Sequence, residues 1–343
     1  MIFRQLFDSV SSTYTYLLAA RPGGEALIVD PVLDKVDRYL KLFDELGVRL
    51  VKAIDTHVHA DHITGLGRLR DTTACVTVMG RESKVDTVSM RVRDGERIEV
   101  DGIFLQAIYT PGHTDDSYSF AMADRVFTGD TLLIRGTGRT DFQNGDAGAQ
   151  YESIFGRLLK LPDEALVYPA HDYKGDTVST IAEERAFNPR LQVKNRDEYI
   201  AIMNNLNLPN PKMMDVAVPA NLKIGLAKDD PEIARATVVP KEAAKMKAAI
   251  TFIDLREDAE RRRDGMIEGS LHVPYQSLGM ALAPGGVLAR MAKDRDLLLY
   301  CAFGERSALA LKALKAAGFK NAKHLEGGTD AWGKAKLSLV QPT

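Results

Sequence analysis

The chain has 343 residues, of which 45% are hydrophobic and 27% charged, and its formal net charge is −2. This composition is typical of a water-soluble globular protein that is long enough for two domains. The small net charge argues against an electrostatic nucleic-acid binder. The first residues lack the apolar core of a signal peptide, and no window approaches the roughly 18 apolar residues of a membrane span. There are only two cysteines, Cys75 and Cys301, which is typical of a reducing compartment, so we expect a cytoplasmic protein. From the net charge and the lack of a long apolar window, we expect it to bind neither nucleic acid nor a membrane.

The first half of the chain predicts alternating strands and helices. A hairpin is predicted from residues 14–20 and 26–30, joined by a Pro-Gly-Gly turn. A helix should follow, with Asp34 as its N-cap and Gly47 as its stop, and another helix should begin at Ile63. Such alternation predicts sheets that are buried by helices, which is the α/β class.

Four short apolar runs each lead into a turn that carries potential metal ligands. The runs cover residues 50–54, 105–109, 125–127 and 166–168, and the ligand-type residues that follow them are His57, His59, Asp61, His62, His113, Asp130 and His171. Runs of this kind, bounded by Gly and Pro, are typical of strands whose carboxyl ends meet at one sheet edge. Neutral imidazole with carboxylate suits borderline metals. The sequence therefore predicts one metal centre at such an edge.

Further along, the alternation stops. Residues 188–219 are rich in Asn, Pro and Met, which predicts an ordered but loop-rich extension. Residues 225–234 are the best candidate for a linker. A second unit should begin near Arg235, with strands predicted at 251–255 and 296–300.

The second of these strands ends at Cys301, at a turn from strand to helix. Four residues separate Cys301 from Arg306, and a helix is predicted over residues 307–317. Backbone N–H groups of such a loop, with the positive end of the helix, stabilise a thiolate or an anion attached to it. The alternatives are a buried structural cysteine and a phosphatase-type loop, which usually has five residues between its cysteine and arginine.

Motifs along the whole chain resemble two known families. THVHADHITG, TPGHT, FTGDTLLIRGTGRTDF and YPAHDYK, between residues 56 and 174, resemble the metallo-β-lactamase superfamily, and LLIRGTGRTDF narrows the resemblance to its persulfide dioxygenases, or sulfur dioxygenases. FNPRL, NNLNLP and VPAN resemble the tail of the same family. DLRE at Asp254, the loop at Cys301 and GGTDAW at residues 327–332 resemble a rhodanese. The order of the units resembles bacterial persulfide dioxygenase/rhodanese fusions.

This resemblance implies an α/β fold class with two domains. Residues 1–224 would form a four-layer αββα metallo-β-lactamase sandwich with a C-terminal extension. Residues 225–234 would be the linker, and residues 235–343 a smaller α/β rhodanese domain with a mainly parallel sheet.

The resemblance also implies a metal and its ligands. Fe(2+), about one per chain, would be held by His57, His113 and Asp130, which leaves positions open as in non-heme iron oxygenases. The other ligand-type residues would orient these ligands or form the unused second metal site of related hydrolases. They are His59, Asp61, His62 and His171.

The implied reaction belongs to hydrogen sulfide metabolism. Glutathione persulfide, O2 and water would give glutathione and sulfite, with Arg139, Tyr173 and, more weakly, Arg135 on the substrate side; a structural ion pair is the alternative for each arginine. In the rhodanese, Cys301 and Arg306 would transfer sulfane sulfur between thiosulfate and glutathione.

The sequence leaves open an alternative function, the sulfur donor and the oligomeric state. A glyoxalase-II-like hydrolase with two metals, joined to a rhodanese that only docks, is the alternative function. Ala302 and Glu305 stand where many rhodaneses carry a basic residue, so the sulfur donor and the direction of transfer are open. Assembly into a homo-oligomer is also left open.

Overall fold

The computed structural model describes residues 1–206, 208–209, 213–224 and 231–342. The chain divides into two compact units, Met1–Asp86 with Arg91–Ile224, and Thr87–Met90 with Gly225–Thr343. Among the described residues, no helix has the length and apolar character needed to cross a membrane.

The first sheet of unit 1 contains the predicted hairpin. Its elements, with the helices between them, are β1 (Ile2–Asp8), β2 (Thr13–Ala19), β3 (Glu25–Val29), α1 (Val36–Leu46), β4 (Arg49–Ile54), α2 (Leu66–Thr73), β5 (Val76–Gly80) and β6 (Met90–Val92). The strands lie in sequential order, antiparallel from β1 to β3 and parallel from β3 to β5. The pairing of β2 with β3 confirms the hairpin.

The helix that follows begins later than predicted. Residues Leu33–Lys35 form a 3-10 turn, and α1 starts at Val36 with Lys35 as its N-cap, so the prediction of Asp34 as the N-cap was wrong. The chain leaves β3 through this turn first, and the helix begins only after it. The stop was predicted correctly, because Gly47 adopts a left-handed φ of 62° and its N–H donates to Asp44 O.

Helix α2 also begins later than predicted, at Leu66 rather than Ile63. The preceding residues are held in a loop, since the carbonyl of Ile63 accepts from the Leu33 N–H at 2.9 Å and Thr64 forms a bridge with Val32. This loop carries the first group of predicted metal ligands.

The second sheet of unit 1 is a meander extended by a parallel strand. Its elements are β7 (Arg97–Val100), β8 (Ile103–Tyr109), β9 (Tyr118–Ala121), β10 (Arg125–Gly129), α3 (Ala147–Gly156), β11 (Leu166–Pro169), β12 (Ser179–Thr180) and α4 (Ile181–Phe187), followed by α5 (Arg196–Asn204) and α6 (Met214–Asn221). The strands are again in sequential order, and only the β10–β11 pair is parallel. An apolar cluster joins α3, α4 and α5 to this sheet.

Aromatic side chains hold the two sheets face to face. Tyr16 of β2 lies 5.0 Å from Phe127 and 5.4 Å from Tyr168, between ring centroids. Because successive side chains alternate between the faces of a strand, Thr15 points the other way and meets Tyr39 of α1, with 3.0 Å between the two hydroxyl oxygens. Helices thus cover the outer faces of two packed sheets, which is an αββα sandwich.

Unit 2 has a parallel sheet, as predicted. Its elements are α7 (Pro231–Arg235), β13 (Thr237–Val238), α8 (Pro240–Lys245), β14 (Thr251–Asp254), α9 (Asp258–Asp264), β15 (Leu271–His272), α10 (Leu278–Leu282), β16 (Leu297–Tyr300), α11 (Glu305–Ala316), β17 (Ala322–Leu325) and α12 (Gly328–Lys334). In the described part of this unit the strand order is β13-β17-β16-β14-β15, and neighbouring strands are parallel.

The predicted linker and part of the extension lie outside the described residues. This applies to residues 225–230 of the linker and to residues 207 and 210–212 of the extension. The next linker residues belong to α7. The domain boundaries at 224 and 235 stay predictions.

Candidate functional site

The predicted metal ligands follow four strands, but these strands do not belong to one sheet. β4, which precedes the histidine-rich loop, lies in the first sheet, whereas β8, β10 and β11 lie in the second. The prediction of a single sheet edge was therefore wrong. The ligand-type residues meet because the two sheets of the sandwich face each other.

Three of them, which we call the ligand trio, are close together and buried: His57, His113 and Asp130. Each offers one ligand atom, and these atoms lie within 4.8 Å of one another. The rings of His57 and His113 are 4.9 Å apart, and His113 Nε2 is 3.6 Å from Asp130 Oδ2. The trio is compact enough to share one metal ion.

Hydrogen bonds leave the Nε2 atoms of both histidines free. The Thr56 hydroxyl donates to Asp30 at 3.0 Å, so the His57 Nδ1–H must donate to the Thr56 oxygen at 2.9 Å. The His113 Nδ1–H donates to the Arg139 carbonyl at 2.8 Å. An imidazole fixed through Nδ1 presents its Nε2 lone pair to a metal.

Asp130 is held in the same way by His171. The His171 Nδ1–H donates to Asp130 Oδ1 at 2.7 Å, and its Nε2–H donates to Asp61 at 2.8 Å. Burial opposes charge on all three groups, but the two carboxylates raise the pKa of His171 well above its ordinary value, and His171 lowers that of Asp130. Asp130 is thus an ionised carboxylate with Oδ2 left for a metal.

His57 is neutral for electrostatic reasons. Burial, followed by repulsion from His59 and His113, lowers the pKa of His57 well below its ordinary value. A neutral imidazole is the form that binds metals. His57 and Asp130 are therefore in the protonation states that bind a metal, and the donor set of the trio fits a divalent transition metal.

Gly138, in the segment LLIRGTGRTDF, packs directly against this trio. Its N–H donates to the Asp130 carbonyl at 2.7 Å. A Cβ at this position would lie 2.1 Å from that oxygen and 2.8 Å from His113 Nδ1. Only glycine leaves room for both ligands here.

A second group, His59, Asp61 and His62, also has metal-ligand spacing. His59 Nδ1 and His62 Nε2 are buried with no hydrogen-bond partner among the described residues. Leaving one such atom unpaired costs about 1–3 kcal/mol. The two histidines differ in charge, because Asp30 outweighs burial and raises the pKa of His59 to about 9, whereas burial lowers that of His62 to about 4.

Two residues that the sequence reasoning missed support these histidines. Asp30, at the end of β3, accepts from the Thr56 N–H at 2.7 Å and from His59 Nε2 at 3.2 Å. Asn221, at the end of α6, donates to the carbonyls of His59 and His62 at 2.9 Å. The position of Asp30 at a strand end was a signal for that residue, and the VPAN motif was a signal for Asn221.

The predicted substrate residues are placed differently from one another. Tyr173 is 72% exposed, and its ring lies parallel to the ring of His171 with 5.9 Å between centroids. The Arg139 guanidinium forms two 2.6 Å hydrogen bonds with Asp141 and lies 4.9 Å from the Phe142 ring, which touches His113 edge-on. Both residues are therefore next to the ligand trio or the residues that support it.

Arg135 has a structural role instead. Its guanidinium donates to Glu183 at 2.7 Å, to Ser179 at 3.0 Å and to Glu184. These contacts correspond to the ion-pair alternative, so we leave Arg135 out of the proposed substrate site.

In unit 2, Cys301 follows β16 at the start of a loop, residues 301–306, which we call the Cys301 loop. The sulfur is buried and accepts from the Gly304 N–H at 3.1 Å. Gly328 adopts a left-handed φ of 58°, and a Cβ there would lie 2.2 Å from the Cys301 carbonyl oxygen. That carbonyl accepts from the Thr329 N–H at 2.9 Å. The GGTDAW segment therefore closes directly against the loop.

Arg306 is buried and paired with a residue that the sequence analysis missed. Its two terminal nitrogens donate to Glu260 of α9 at 2.7 and 2.6 Å. Burial opposes its charge, but Glu260 raises the pKa of Arg306 above its ordinary value. Nothing in the local sequence of the loop indicated this partner.

Comparisons with known proteins match each of the two units to a family. Residues 9–89 and 83–171 match the metallo-beta-lactamase superfamily, and residues 239–335 match the rhodanese-like domain. The mitochondrial persulfide dioxygenase ETHE1 of Homo sapiens is 47% identical over 229 residues, which are 66% of this chain and 89% of the human protein. This chain belongs to the persulfide dioxygenase family. Its Mus musculus relative of the same name is 46% identical over the same length.

Solved structures extend the comparison. The crystal structure of ETHE1 from Myxococcus xanthus is 55% identical, has a TM-score of 0.63, and matches 65% of this chain and 98% of its own. A Staphylococcus aureus metallo-beta-lactamase structure, at 22% identity and a TM-score of 0.62, matches 95% of this chain and 98% of its own, which shows the fold. This chain therefore combines a metallo-β-lactamase domain, which contains the His/Asp ligand trio, with a rhodanese-like domain.

Proposed function

We propose that unit 1 is an iron(II) dioxygenase that converts glutathione persulfide, O2 and water into glutathione and sulfite. The observation that carries this proposal is the ligand trio, whose free atoms are His57 Nε2, His113 Nε2 and Asp130 Oδ2. Two imidazoles and one carboxylate are the ligand set of non-heme iron(II) oxygenases. Membership of the persulfide dioxygenase family supports the same reaction.

The surrounding residues would orient this trio. Thr56 and Asp30 fix the His57 ring, the Arg139 carbonyl fixes His113, and His171 keeps Asp130 ionised. When bound, iron supplies the redox chemistry that allows O2 to react with sulfur. The atoms balance, since the outer sulfur rises by four oxidation levels, the O2 takes up four electrons, and water provides the third oxygen of sulfite.

The substrate side would include Tyr173 and Arg139. Tyr173 offers an exposed ring beside His171 to the glutathione part. Arg139 could bind a glutathione carboxylate in place of the Asp141 carboxylate, because the Asp141 side chain is 54% exposed. A bidentate guanidinium contact suits a carboxylate of either origin.

Unit 2 would supply the persulfide. The Cys301 thiolate attacks the sulfane sulfur of thiosulfate, the sulfur–sulfur bond of thiosulfate breaks, and sulfite leaves with the electron pair. Glutathione then takes the outer sulfur of the Cys301 persulfide, which regenerates Cys301. The Gly304 N–H, 3.1 Å from the sulfur, would stabilise both anionic forms.

One observation favours hydrolysis by two metals as a second candidate function. The unpaired nitrogens of His59 and His62, with Asp61, fit a second cation. Two features weigh against it: His171 uses both ring nitrogens on carboxylates, and a cation would first have to displace the proton that Asp30 stabilises on His59.

Metal analysis distinguishes the dioxygenase from the hydrolase. Protein expressed with iron available should contain about one iron per chain, as a single ligand trio predicts, and should not hydrolyse S-lactoylglutathione. Two zinc ions per chain together with that hydrolysis would overturn the dioxygenase proposal and support the hydrolase.

A further inference from the structure

A row of side chains connects the Cys301 sulfur to a histidine that belongs to neither predicted site. The Cys301 Sγ lies 3.8 Å from Ser307 Oγ, and Ser307 Oγ lies 3.4 Å from His324 Nδ1. His324 is in β17, and its Nε2 lies 2.9 Å from the Thr237 hydroxyl of β13. All of these side chains except Thr237 are buried. Long hydrogen bonds of this kind are common in sites without substrate.

The hydrogen bond of Thr237 decides which nitrogen of His324 carries the proton. The Thr237 hydroxyl donates to the Ile233 carbonyl at 2.8 Å. Its oxygen can therefore only accept from His324, which places a hydrogen on Nε2. The Nδ1 atom of neutral His324 is then a lone pair that faces Ser307.

Burial keeps this imidazole neutral. It lowers the pKa of His324 to about 4. Ser307 can donate its hydroxyl hydrogen either to the Gly304 carbonyl, at 3.0 Å, or to His324 Nδ1. The hydroxyl is thus placed between the thiol and a proton acceptor.

We propose that Ser307 and His324 form a relay that removes the proton of the Cys301 thiol before sulfur transfer. In the resting form the thiol donates to Ser307 and Ser307 donates to His324. After the shift, the Cys301 thiol proton lies on Ser307, the former Ser307 proton lies on His324 Nδ1, and Ser307 donates to the thiolate. No hydrogen bond of the row is lost, because each oxygen and nitrogen has a partner in both states.

The thiolate formed by this shift is a negative charge that stabilises the protonated His324. The resting form has no such charge, so His324 is neutral there. His324 then donates from Nδ1 to Ser307 and from Nε2 to Thr237, so both of its N–H groups are paired. The Gly304 N–H, already directed at the sulfur, stabilises the thiolate. Ser307 is the residue that touches the reacting atom, and His324 is a positioning residue that acts through it.

Other charged groups near Cys301 remain in place during a test of this relay. Arg306 interacts electrostatically with the thiol and is paired with Glu260, and Glu305 is buried at the start of α11. They are the same in every variant below. A difference between variants therefore reports the relay.

The relay is tested by the rate at which iodoacetamide alkylates Cys301 as a function of pH, mapped by mass spectrometry to separate it from Cys75. His324→Asn keeps an acceptor where Nδ1 lies but cannot take up a proton, and Ser307→Ala removes the bridge. In both full-length variants the rate profile should shift to higher pH, and alkylation at neutral pH should slow about tenfold. Sulfur transfer from thiosulfate to glutathione should fall on the order of 100-fold.

His272→Asn is the matched control. His272 is the other histidine outside the metal-ligand pattern, and its Nε2 donates to the Arg256 carbonyl at 2.9 Å. This variant should keep the parental profile. An unchanged alkylation profile in both Ser307→Ala and His324→Asn would overturn the relay, as would an equal shift in His272→Asn.

The relay's role in sulfur transfer rests on the sulfurtransferase activity proposed above, but the alkylation measurement does not. A shifted profile supports the relay even where the parent protein transfers no sulfur from thiosulfate, and that result would contradict only the proposed donor. Circular dichroism and thermal unfolding of each variant, measured in parallel, show that unit 2 is folded.

Discussion

The ligand trio and the Cys301 loop are built in opposite ways. The trio's residues span positions 57–130, follow strands of two sheets, and are oriented by the Thr56 hydroxyl, the Arg139 carbonyl and the His171 side chain. The Cys301 loop is one contiguous segment, and its sulfur accepts from a backbone N–H of the same loop. We therefore expect the loss of one ligand side chain to disable the first site. The second site should be disabled either by substitution of its cysteine or by a change that distorts the backbone of the loop.

The largest effect should come from removing a member of the trio. Asp130→Ala and His113→Ala each delete a proposed ligand, so both variants should lose iron and persulfide-driven O2 uptake together. Asp61→Ala is the comparison, because Asp61 contacts His171 rather than the proposed iron, and it should retain most of the metal. Losses of ~10–100-fold in affinity or activity are compatible with its supporting role. Equal iron loss in all three variants would contradict this assignment of ligands.

Cys301→Ser should separate the two sites. Serine has nearly the same volume but cannot form a persulfide, so O2 uptake driven by thiosulfate plus glutathione should disappear. Uptake driven by glutathione persulfide should remain close to the parental rate, with iron content unchanged. In the parent protein, the covalent link between the two units would raise the local concentration of the persulfide that unit 2 makes. Thiosulfate-driven uptake that persists in the variant would refute the sulfur-transfer role.

The backbone of the loop can be tested with two glycines of α12. Gly328→Ala places a Cβ against the Cys301 carbonyl at a left-handed φ, and should cost about 1–3 kcal/mol from backbone strain, with a similar cost from overpacking. Gly333→Ala meets no atom within 4 Å and should stabilise the helix slightly. The midpoint temperature of unfolding and the rate of sulfur transfer should fall for Gly328→Ala only. Parental behaviour of Gly328→Ala would show that the loop does not depend on this contact.

The smallest effect is a pH dependence that belongs to unit 1. The pKa of His171 is raised in the folded protein above its ordinary 6.5, so its stabilisation is complete below pH 6.5 and is lost as pH rises toward the folded value. The free energy of unfolding of metal-free protein should lose about 1.4 kcal/mol per pH unit in that window from this group. The change can be measured by urea unfolding. In His171→Asn this contribution should vanish, and an unchanged slope would contradict the ionised pair with Asp130 and Asp61.

The sequence indicated the secondary-structure elements better than it indicated which distant residues contact each other. The hairpin and the stop at Gly47 follow from local patterns, because turn residues and strand runs act over a few positions. The parallel sheet of unit 2 was implied by the resemblance to a rhodanese. The N-cap at Asp34 failed because a 3-10 turn intervenes. No local pattern could show that the ligand strands come from two sheets.

Long-range partners account for the remaining misses. Asn221 reaches the histidine-rich loop from α6, Glu260 reaches Arg306 from α9, and His324 reaches Ser307 from β17. Glu260 and His324 are single polar residues without a motif around them, and the VPAN motif that ends at Asn221 did not indicate which residues Asn221 contacts. Only the packing of distant segments brings them to a site.

The proposed reaction is tested most directly by its stoichiometry. Iron-loaded protein is supplied with glutathione persulfide in an oxygen electrode, and sulfite and glutathione are measured at the end. The balanced reaction predicts one O2 consumed and one sulfite and one glutathione formed for each persulfide, with no turnover in Asp130→Ala. Consumption of persulfide without O2 uptake, or without sulfite, would contradict the proposed dioxygenase reaction.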